Sequence, residues 1–341
     1  RLRVLEDVPA GSVATRPVEP GTAIKIMTGA PLPARADTVV QVEVTRQPDA
    51  DTVEILETME RGTAVRPAGG DIAAGDVVLT RGTVLGPVEL ALLATAGVAR
   101  PEVSRRPRVA VMATGDELRA PGSGDLQPGQ IRESNRPLMR GLVREAGGEV
   151  IDLGIVPDTE AALMEALSEA ASTADAIVTS GGVSMGEYDL IKQVLSERGS
   201  VDFWQVAMQP AKPFAFGQFG GVPLFGLPGN PVSVMVAFEQ FARPGLLKMQ
   251  GAAVLTRPRV PARFGESFST DPAKVVFVRV SLTPHDGGLV ARRSGGQSSN
   301  VLSALGAADG LAVVPVGVGE VAEGDLVEVE LFRHPARVLG P

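Results

Sequence analysis

The chain has 341 residues, 44% hydrophobic and 21% charged, with a formal net charge of −8; its length predicts roughly two to four domains, and the acidic balance with only 4% aromatics excludes a general nucleic-acid binder. Cys is absent, which excludes disulfides, thiolate nucleophiles and Cys-based zinc sites, and two His, His285 and His334, leave only hard cations held by oxygens as candidate metals. No apolar run is long enough to span a bilayer and no charged-then-apolar leader opens the chain, so a cytoplasmic protein without a membrane partner is expected.

Residues 1–70 are rich in Val, Thr, Gly and Pro. Short runs such as Arg3–Leu5, Thr38–Val44 and Thr52–Leu56 predict the strands of a small β domain. Residues 71–101 carry Asp76–Leu79, a turn at Gly82 and a helical stretch, Glu89–Ala96, ending at Gly97 as a C-cap; this piece is predicted to be a connector. Within residues 102–250 the pattern becomes alternating strand and helix, which predicts a mostly parallel sheet with helices on both faces. The order is strand Arg108–Ala113, helix Asn135–Gly147 with Leu138, Leu142 and Val143 on one face, then strand Val150–Ile155. Helix Asp158–Ala171 follows, with Leu163, Ala166, Leu167 and Ala170 inward and Asp158 as its N-cap, and then strand Ala176–Thr179. Helix Leu190–Arg198, strands at Val201–Trp204 and Val222–Gly226, and a long helix from Pro231 to about Met249 complete the segment. Residues 251–341 read as a C-terminal β domain without a long helix, ending in Asp325–Leu331.

The residues suited to chemistry cluster where strands of the central sheet end, and in open parallel sheets that is where ligands bind. The first strand runs into Thr114-Gly115-Asp116-Glu117. Another runs into Ser180-Gly181-Gly182-Val183-Ser184-Met185-Gly186-Glu187-Tyr188-Asp189, whose glycines and hydroxyls fit a phosphate cradle. The last runs into Leu227-Pro228-Gly229-Asn230-Pro231-Val232-Ser233, where Asn230 can cap and Pro231 takes the first helical position, leaving N–H groups for an anion. Each segment alone also fits a plain turn or cap; Asp158 is most simply a cap, and Lys212, in a Pro-bounded loop, a solvated cation. Their convergence favours a site. No G-x-G-x-x-G follows the first strand, no G-x-x-x-x-G-K-[ST] is present and neither His lies beside a nucleophile, so a dehydrogenase, a P-loop NTPase and a Ser hydrolase are disfavoured. Binding of a phosphorylated ligand with Mg²⁺ remains, with Asp116, Glu117, Asp158 and Asp189 as candidate cation ligands.

Seven motifs then occur in order: Ile26–Pro33, Gly69–Ile72, Thr114–Leu118, Glu133-Ser134-Asn135-Arg136, Ser180–Asp189, Lys212–Gly217 and Leu227–Ser233. Across essentially the whole chain this series resembles molybdopterin molybdenumtransferase, the MoeA family, to which the E domain of gephyrin also belongs. The resemblance implies an elongated multidomain α/β subunit, its central molybdopterin-binding domain flanked by small β domains, in a homodimer. Its composite sites would draw β domains from one or both subunits. It also implies Mg²⁺-dependent hydrolysis of adenylylated molybdopterin, releasing AMP and leaving molybdenum from molybdate on the dithiolene, with the molybdopterin adenylyltransferase as upstream donor. Catalytic residues by the same resemblance are Asp116, Glu117, Asp158, Asp189 and Lys212, the metal being carried by Asp158 and Asp189. Pterin and phosphates would meet Thr28, Asp71, Thr114, Gly115, Ser134, Asn135, Ser180, Gly181, Gly182, Ser184, Gly186, Pro228, Gly229 and Asn230. Lys212, Ser233, Arg279 and Ser298 would hold molybdate, a compact dianion that such donors suit.

Two departures stand out. Gln205 and Gln209 occupy places where the family often has Lys, which predicts weaker molybdate affinity or an altered oxyanion preference. An upstream half-domain of the family, with an Asp-Gly-Tyr-Ala motif, precedes nothing here, so a fragment is expected. These departures keep open a molybdopterin carrier without turnover; a relative that only adenylylates molybdopterin is disfavoured by the long flanking β segments.

Overall fold

In the computed structural model, which describes residues 1–181 and 200–333, the chain divides into two compact units, Arg1–Val78 and Leu79–Pro341. The first unit holds strands β1 (Leu2–Val8), β2 (Thr22–Ile26), β3 (Thr45–Asp49) and β4 (Thr52–Ile55) in one sheet of order β2-β1-β4-β3. The Val-rich run Thr38–Val44 is not a strand: it is irregular and closes in a 3₁₀ turn at Val42–Val44, with Val42 73% exposed. Alternation there has no neighbouring strand to pair with, and β propensity without a partner does not make a ladder.

The second unit opens with helix α1 (Pro87–Thr95), whose Pro87 takes the first turn and whose Gly97, at φ +76°, ends it as expected. Strands β5 (Arg108–Thr114), β6 (Leu118–Arg119), β7 (Ile131–Arg132), β8 (Glu149–Val156) and β9 (Ala176–Ser180) follow, with helices α2 (Asn135–Glu145) and α3 (Glu160–Thr173) between them. Next come β10 (Ser200–Gln205), β11 (Met208–Gln209), β12 (Pro213–Phe219) and β13 (Val222–Leu227). The central sheet has the order β10-β12-β13-β9-β5-β8, with β13, β9, β5 and β8 mutually parallel and β12 and β10 antiparallel at one edge. Strand β12, unforeseen in the sequence, makes that edge a hairpin.

Burial on both faces explains why β5 reads as a continuous apolar run. Its side chains alternate: Val109 and Val111 join a core with Met139, Leu142, Val143 and Phe225, whereas Ala110 and Met112 face Leu163, Ala166, Leu167 and Ala170 of α3. The predicted inward face of α3 is therefore correct, while on α2 Met139 replaces the half-buried Leu138. Helix Pro231–Ala237 continues through a widened turn, Phe238–Ala242, into Arg243–Met249. The widening falls just before Pro244, which has no N–H to give the Gln240 carbonyl.

Residues after 255 form β14 (Arg259–Phe264), β15 (Phe268–Ser269), β16 (Val275–His285), β17 (Gly288–Arg293), β18 (Gly310–Val314), β19 (Glu320–Val321) and β20 (Leu326–Leu331). Because β16 pairs with both β17 and β18, the ring β16-β17-β14-β20-β18 closes on itself around Val278, Val280, Phe264 and Val329. Among the links that fasten this barrel to the central segment are a strand pairing and an ion pair. Strand β11 leaves the central segment to pair in parallel with the start of β16, Gln209 opposite Val276. Buried Glu239 takes two bonds from Arg257, at 2.8 and 2.9 Å, and Arg257 also reaches Glu145 at 2.7 Å. Removing one partner of such a buried pair costs about 3–5 kcal/mol. The protein is thus an α/β protein with separate β portions, as the sequence led one to expect.

Candidate anion site at the sheet edge

Register brings the strand ends level. Leu227 and Ala113 both stand opposite Ser180, and Thr114 stands opposite Val156, so Pro228–Asn230, Gly181, Gly115–Glu117 and Pro157–Asp158 emerge side by side. Ser180, 1% exposed, donates to the Pro228 carbonyl at 3.2 Å and accepts from Asn135 Nδ2 at 2.8 Å. The same Nδ2 donates to the Gly229 carbonyl at 2.5 Å, so one α2 side chain staples two strand ends together. Gly181 has φ +93°, and a Cβ on it would lie 2.7 Å from the Thr114 carbonyl oxygen; only glycine lets the two turns approach so closely. Two buried groups here, Thr114 Oγ1 and Asn135 Oδ1, have no hydrogen-bond partner among the described residues. Buried polar atoms are rarely left so, and such atoms can take a ligand's hydrogen bonds.

Beside them lie the carboxylates. Asp158 N–H donates to Asp116 Oδ1 at 3.1 Å and Asp116 N–H to Asp158 Oδ2 at 3.4 Å, so the two turns bind each other through acidic side chains. Burial raises the Asp158 pKa above the usual carboxylate range, and the negative charges of Asp116 and Glu117 push the same way against the Asp116 N–H. Asp158 is not the cap of α3: Thr159 Oγ1 accepts from Ala162 N–H at 3.3 Å, which leaves the Asp158 carboxylate outside the helix. A cluster of like charges with a raised pKa fits a divalent cation. Among the described residues no three acidic or His side chains form a group that could hold a metal ion, so an ion here would take most of its oxygens from ligand and water, as Mg²⁺ commonly does. Gly182, Ser184, Gly186 and Asp189 lie outside the described residues.

A second locus sits where the barrel meets the turn after β13. Arg279 of β16 is 0% exposed, and its Nη2 donates to the carbonyls of Gly296 at 2.6 Å and Ser298 at 3.1 Å. Its Nε and Nη1 are buried without partners among the described residues, and burial lowers its pKa. An enclosed guanidinium with unpartnered N–H groups has donors that an oxyanion can take. Asn230 opens the helix at Pro231 by position, but its side chain does not cap: Nδ2 donates to Ser299 Oγ at 2.9 Å, and Val232 N–H donates to the Ser299 carbonyl at 3.1 Å. Ser233, 5% exposed, stands one residue further on. The helix start, Ser233 and the Arg279 loop are thereby brought together.

The other expected residues divide. Lys212 is exposed and makes no ion pair among the described residues; Ser134 is half-buried, and the α2 N-terminus is closed by Glu133, whose Oε1 accepts from Arg136 N–H at 2.6 Å. Ser298 contributes its carbonyl to Arg279. Thr28 and Asp71 are exposed residues of the first unit. Sequence reading passed over Gln297 and Ser299, which hold the Arg279 loop; the only trace in the sequence was a Gly295-Gly296 turn followed by polar side chains.

Fold and site together define a class: an α/β protein with glycine-turned strand ends beside carboxylates and, on its β barrel, a buried guanidinium with unpartnered donors. Comparison with known families gives the match. Residues 2–97 match the MoeA N-terminal region (domain I and II), residues 110–248 a probable molybdopterin binding domain, and residues 261–332 the MoeA C-terminal region (domain IV). Molybdopterin molybdenumtransferase 2 of Mycobacterium tuberculosis is 40% identical over 334 residues, 96% of this chain and 82% of that protein. Molybdopterin molybdenumtransferase of Haemophilus influenzae is 38% identical over 92% of this chain and 78% of its own length. A molybdopterin biosynthesis MoeA protein of Pyrococcus horikoshii superposes with a TM-score of 0.79 at 29% identity, over 97% of this chain and 81% of that one. The chain belongs to the molybdopterin molybdenumtransferase family and is a transferase. No helix among the described residues is long and apolar enough to cross a membrane.

Proposed function

We propose that the protein inserts molybdenum from molybdate into adenylylated molybdopterin, hydrolysing the adenylate and releasing AMP to give molybdenum cofactor. Buried Arg279, with Nε and Nη1 unspent, is the observation that carries this reading: it supplies charge and a planar fork for a dianion. The pterin's phosphate end fits the cradle of Thr114 and Gly181, where the unpartnered Thr114 hydroxyl would donate to it, while Asn135 Oδ1, an acceptor, would take an N–H or O–H of the ligand. Pro228–Asn230 and Ser233 would then lie between phosphate and oxyanion. Lys212, solvent-facing, would close over the molybdate as a second cation. A Mg²⁺ ion bound through Asp158, with Asp189 as its other ligand from the family motif, would neutralise phosphate charge and polarise the anhydride. Asp116 positions the Asp158 loop, and Asp116 and Glu117 supply the negative field that draws the cation in.

The expected assembly is a homodimer, supported by α1, in which no side chain is buried and Val88 and Leu90 are 67% and 55% exposed. Four functional segments, residues 1–70, 71–101, 102–250 and 251–341, a cytoplasmic location and an upstream adenylyltransferase donor complete the reading. Gln209, paired through its backbone with β16, brings no charge to the socket, so molybdate is held more weakly than with Lys there.

The test is direct. The chain is incubated with adenylylated molybdopterin, molybdate and Mg²⁺, and AMP and molybdenum-loaded pterin are measured. Molybdate-dependent AMP release is expected. Retention of intact adenylylated pterin, with no AMP, would overturn transfer and leave a carrier.

A further inference from the structure

The barrel's strand pairing thins out at Arg279, and the side chain that takes over there has a function of its own. The last pair between β16 and β17 is Val280 opposite Arg293. One backbone bond follows, Ser294 N–H to the Arg279 carbonyl at 2.8 Å, and there the chain leaves the strand with the Arg279 N–H still to be met. Gln297 turns its side-chain amide onto it: Oε1 accepts from Arg279 N–H at 3.0 Å, and Nε2 donates to the Arg279 carbonyl at 3.2 Å. A side chain thus takes the N–H that the departing strand leaves, shares the carbonyl with Ser294, and pins the loop at that point. Pinning fixes the carbonyls of Gly296 and Ser298, on either side of Gln297, against Arg279 Nη2. Two residues after Gln297, Ser299 joins the loop to the other half of the site through Asn230 Nδ2 and Val232 N–H.

We infer that Gln297 and Ser299 are positioning residues: Gln297 aims the unspent edge of Arg279, and Ser299 holds that edge in register with the Asn230–Ser233 helix start, so that one oxyanion meets both. The inference rests on the reading of Arg279 as the oxyanion's partner. Neither residue need touch the substrate. Loss of Gln297's amide frees the loop carbonyls, and the guanidinium fork loses its fixed direction; loss of the Ser299 hydroxyl leaves Arg279 aimed and the Val232 backbone bond in place but releases the Asn230 side chain.

Binding of sodium molybdate to the full chain, measured by calorimetric titration, tests this, with turnover at saturating molybdate as a second readout. Gln297→Met, equal in length and apolar, is expected to raise the molybdate Kd about tenfold, since two backbone bonds are lost. Turnover at saturation should stay within about twofold and the ligand-free unfolding midpoint within a few degrees, which separates aiming from support of the fold. Gln297→Glu keeps the acceptor but loses the donor and adds a negative charge, so it should weaken molybdate at least as much and serves if the Met variant does not fold. Ser299→Ala should raise the molybdate Kd several-fold, and Ser299→Thr should restore it. A double-mutant cycle of Asn230→Ala with Ser299→Ala should be non-additive. Native affinity in Gln297→Met and Ser299→Ala, with binding lost in Arg279→Met, would overturn the positioning roles and leave the oxyanion reading standing. Native affinity in Arg279→Met as well would overturn both.

Discussion

Replacing Arg279 by Met isolates the charge on which the oxyanion socket depends. In the ligand-free chain the guanidinium is fully enclosed, and among the described residues only its two bonds to Gly296 and Ser298 offset the loss of water. Charge-assisted bonds of this kind contribute about 1.5–3 kcal/mol each, against an effective desolvation penalty of several kcal/mol for the buried ion. The two nearly cancel. Met, similar in length and apolar, should therefore change ligand-free stability by no more than about 2 kcal/mol in either direction. Binding behaves differently, because removing one member of a buried, hydrogen-bonded charge pair costs about 2–5 kcal/mol. That corresponds to a molybdate Kd raised about 30- to 4,000-fold. At a molybdate concentration 100 times the native Kd, the native chain gains about 2.7 kcal/mol from ligand, and the variant less than about 0.9 kcal/mol. Thermal unfolding across a molybdate series, with sulfate as competing dianion, reads both quantities. The reasoning is refuted by a variant that keeps the native molybdate-dependent shift. It is equally refuted by one that loses far more than 2 kcal/mol without ligand, for then the guanidinium would be a strut of the fold.

Three further outcomes are expected. Asp158→Asn removes a carboxylate whose raised pKa marks its ionised form as disfavoured in the fold, a stabilising contribution present at low pH and lost as pH rises through the folded pKa. The variant should therefore unfold at a slightly higher temperature than native at neutral pH, with the gap closing in acid, while AMP release falls about a hundredfold; higher stability with unchanged turnover would remove Asp158 from the chemistry. Gly181→Ala forces a Cβ against the Thr114 carbonyl from a positive φ and should destabilise by about 2–4 kcal/mol, measured by denaturant unfolding. Arg105 holds the Asp175 carboxyl well below the usual range, with the Arg108 N–H assisting. Its contribution is present above the unfolded pKa and lost as pH falls through the folded one, so Asp175→Asn should lower the unfolding midpoint at neutral pH, and the difference should shrink in strong acid.

Much of the central sheet was legible because its strands are buried on both faces, so Arg108–Thr114 and Ala176–Ser180 carry unbroken apolar runs, and α3 shows its four inward residues at helical spacing. Legibility failed where neighbours decide. Thr38–Val44 has the alternation of a strand but no partner, and β12 looks like a loop continuation until its place between β10 and β13 is known. Asp158 in sequence is a cap; only the Thr159 hydroxyl on Ala162 shows that its carboxylate does not cap the helix, and it accepts from Asp116 N–H instead. The anion socket was the least visible part. Arg279 stands inside Val275–His285, a run that reads as core strand, and its enclosure is set by residues 15 to 20 positions later and by a helix start more than 40 positions earlier. Polar atoms left without partners are properties of packing, and no spacing rule in the sequence announces them.

The short pairing of Met208 and Gln209 with Val275 and Val276 gives the barrel a dependence on chain that lies some fifty residues before its first strand. Past the end of β17, the flank of β16 opposite β18 is covered first by Gln297 and then by this borrowed pair. A C-terminal piece beginning after Met249 would keep all five ring strands and still expose that flank as raw edge, open to docking by any extended chain, including another copy of itself. Such a piece is expected to self-associate in solution. A peptide spanning residues 206–212, supplied in excess, should occupy the edge and return it to monomer.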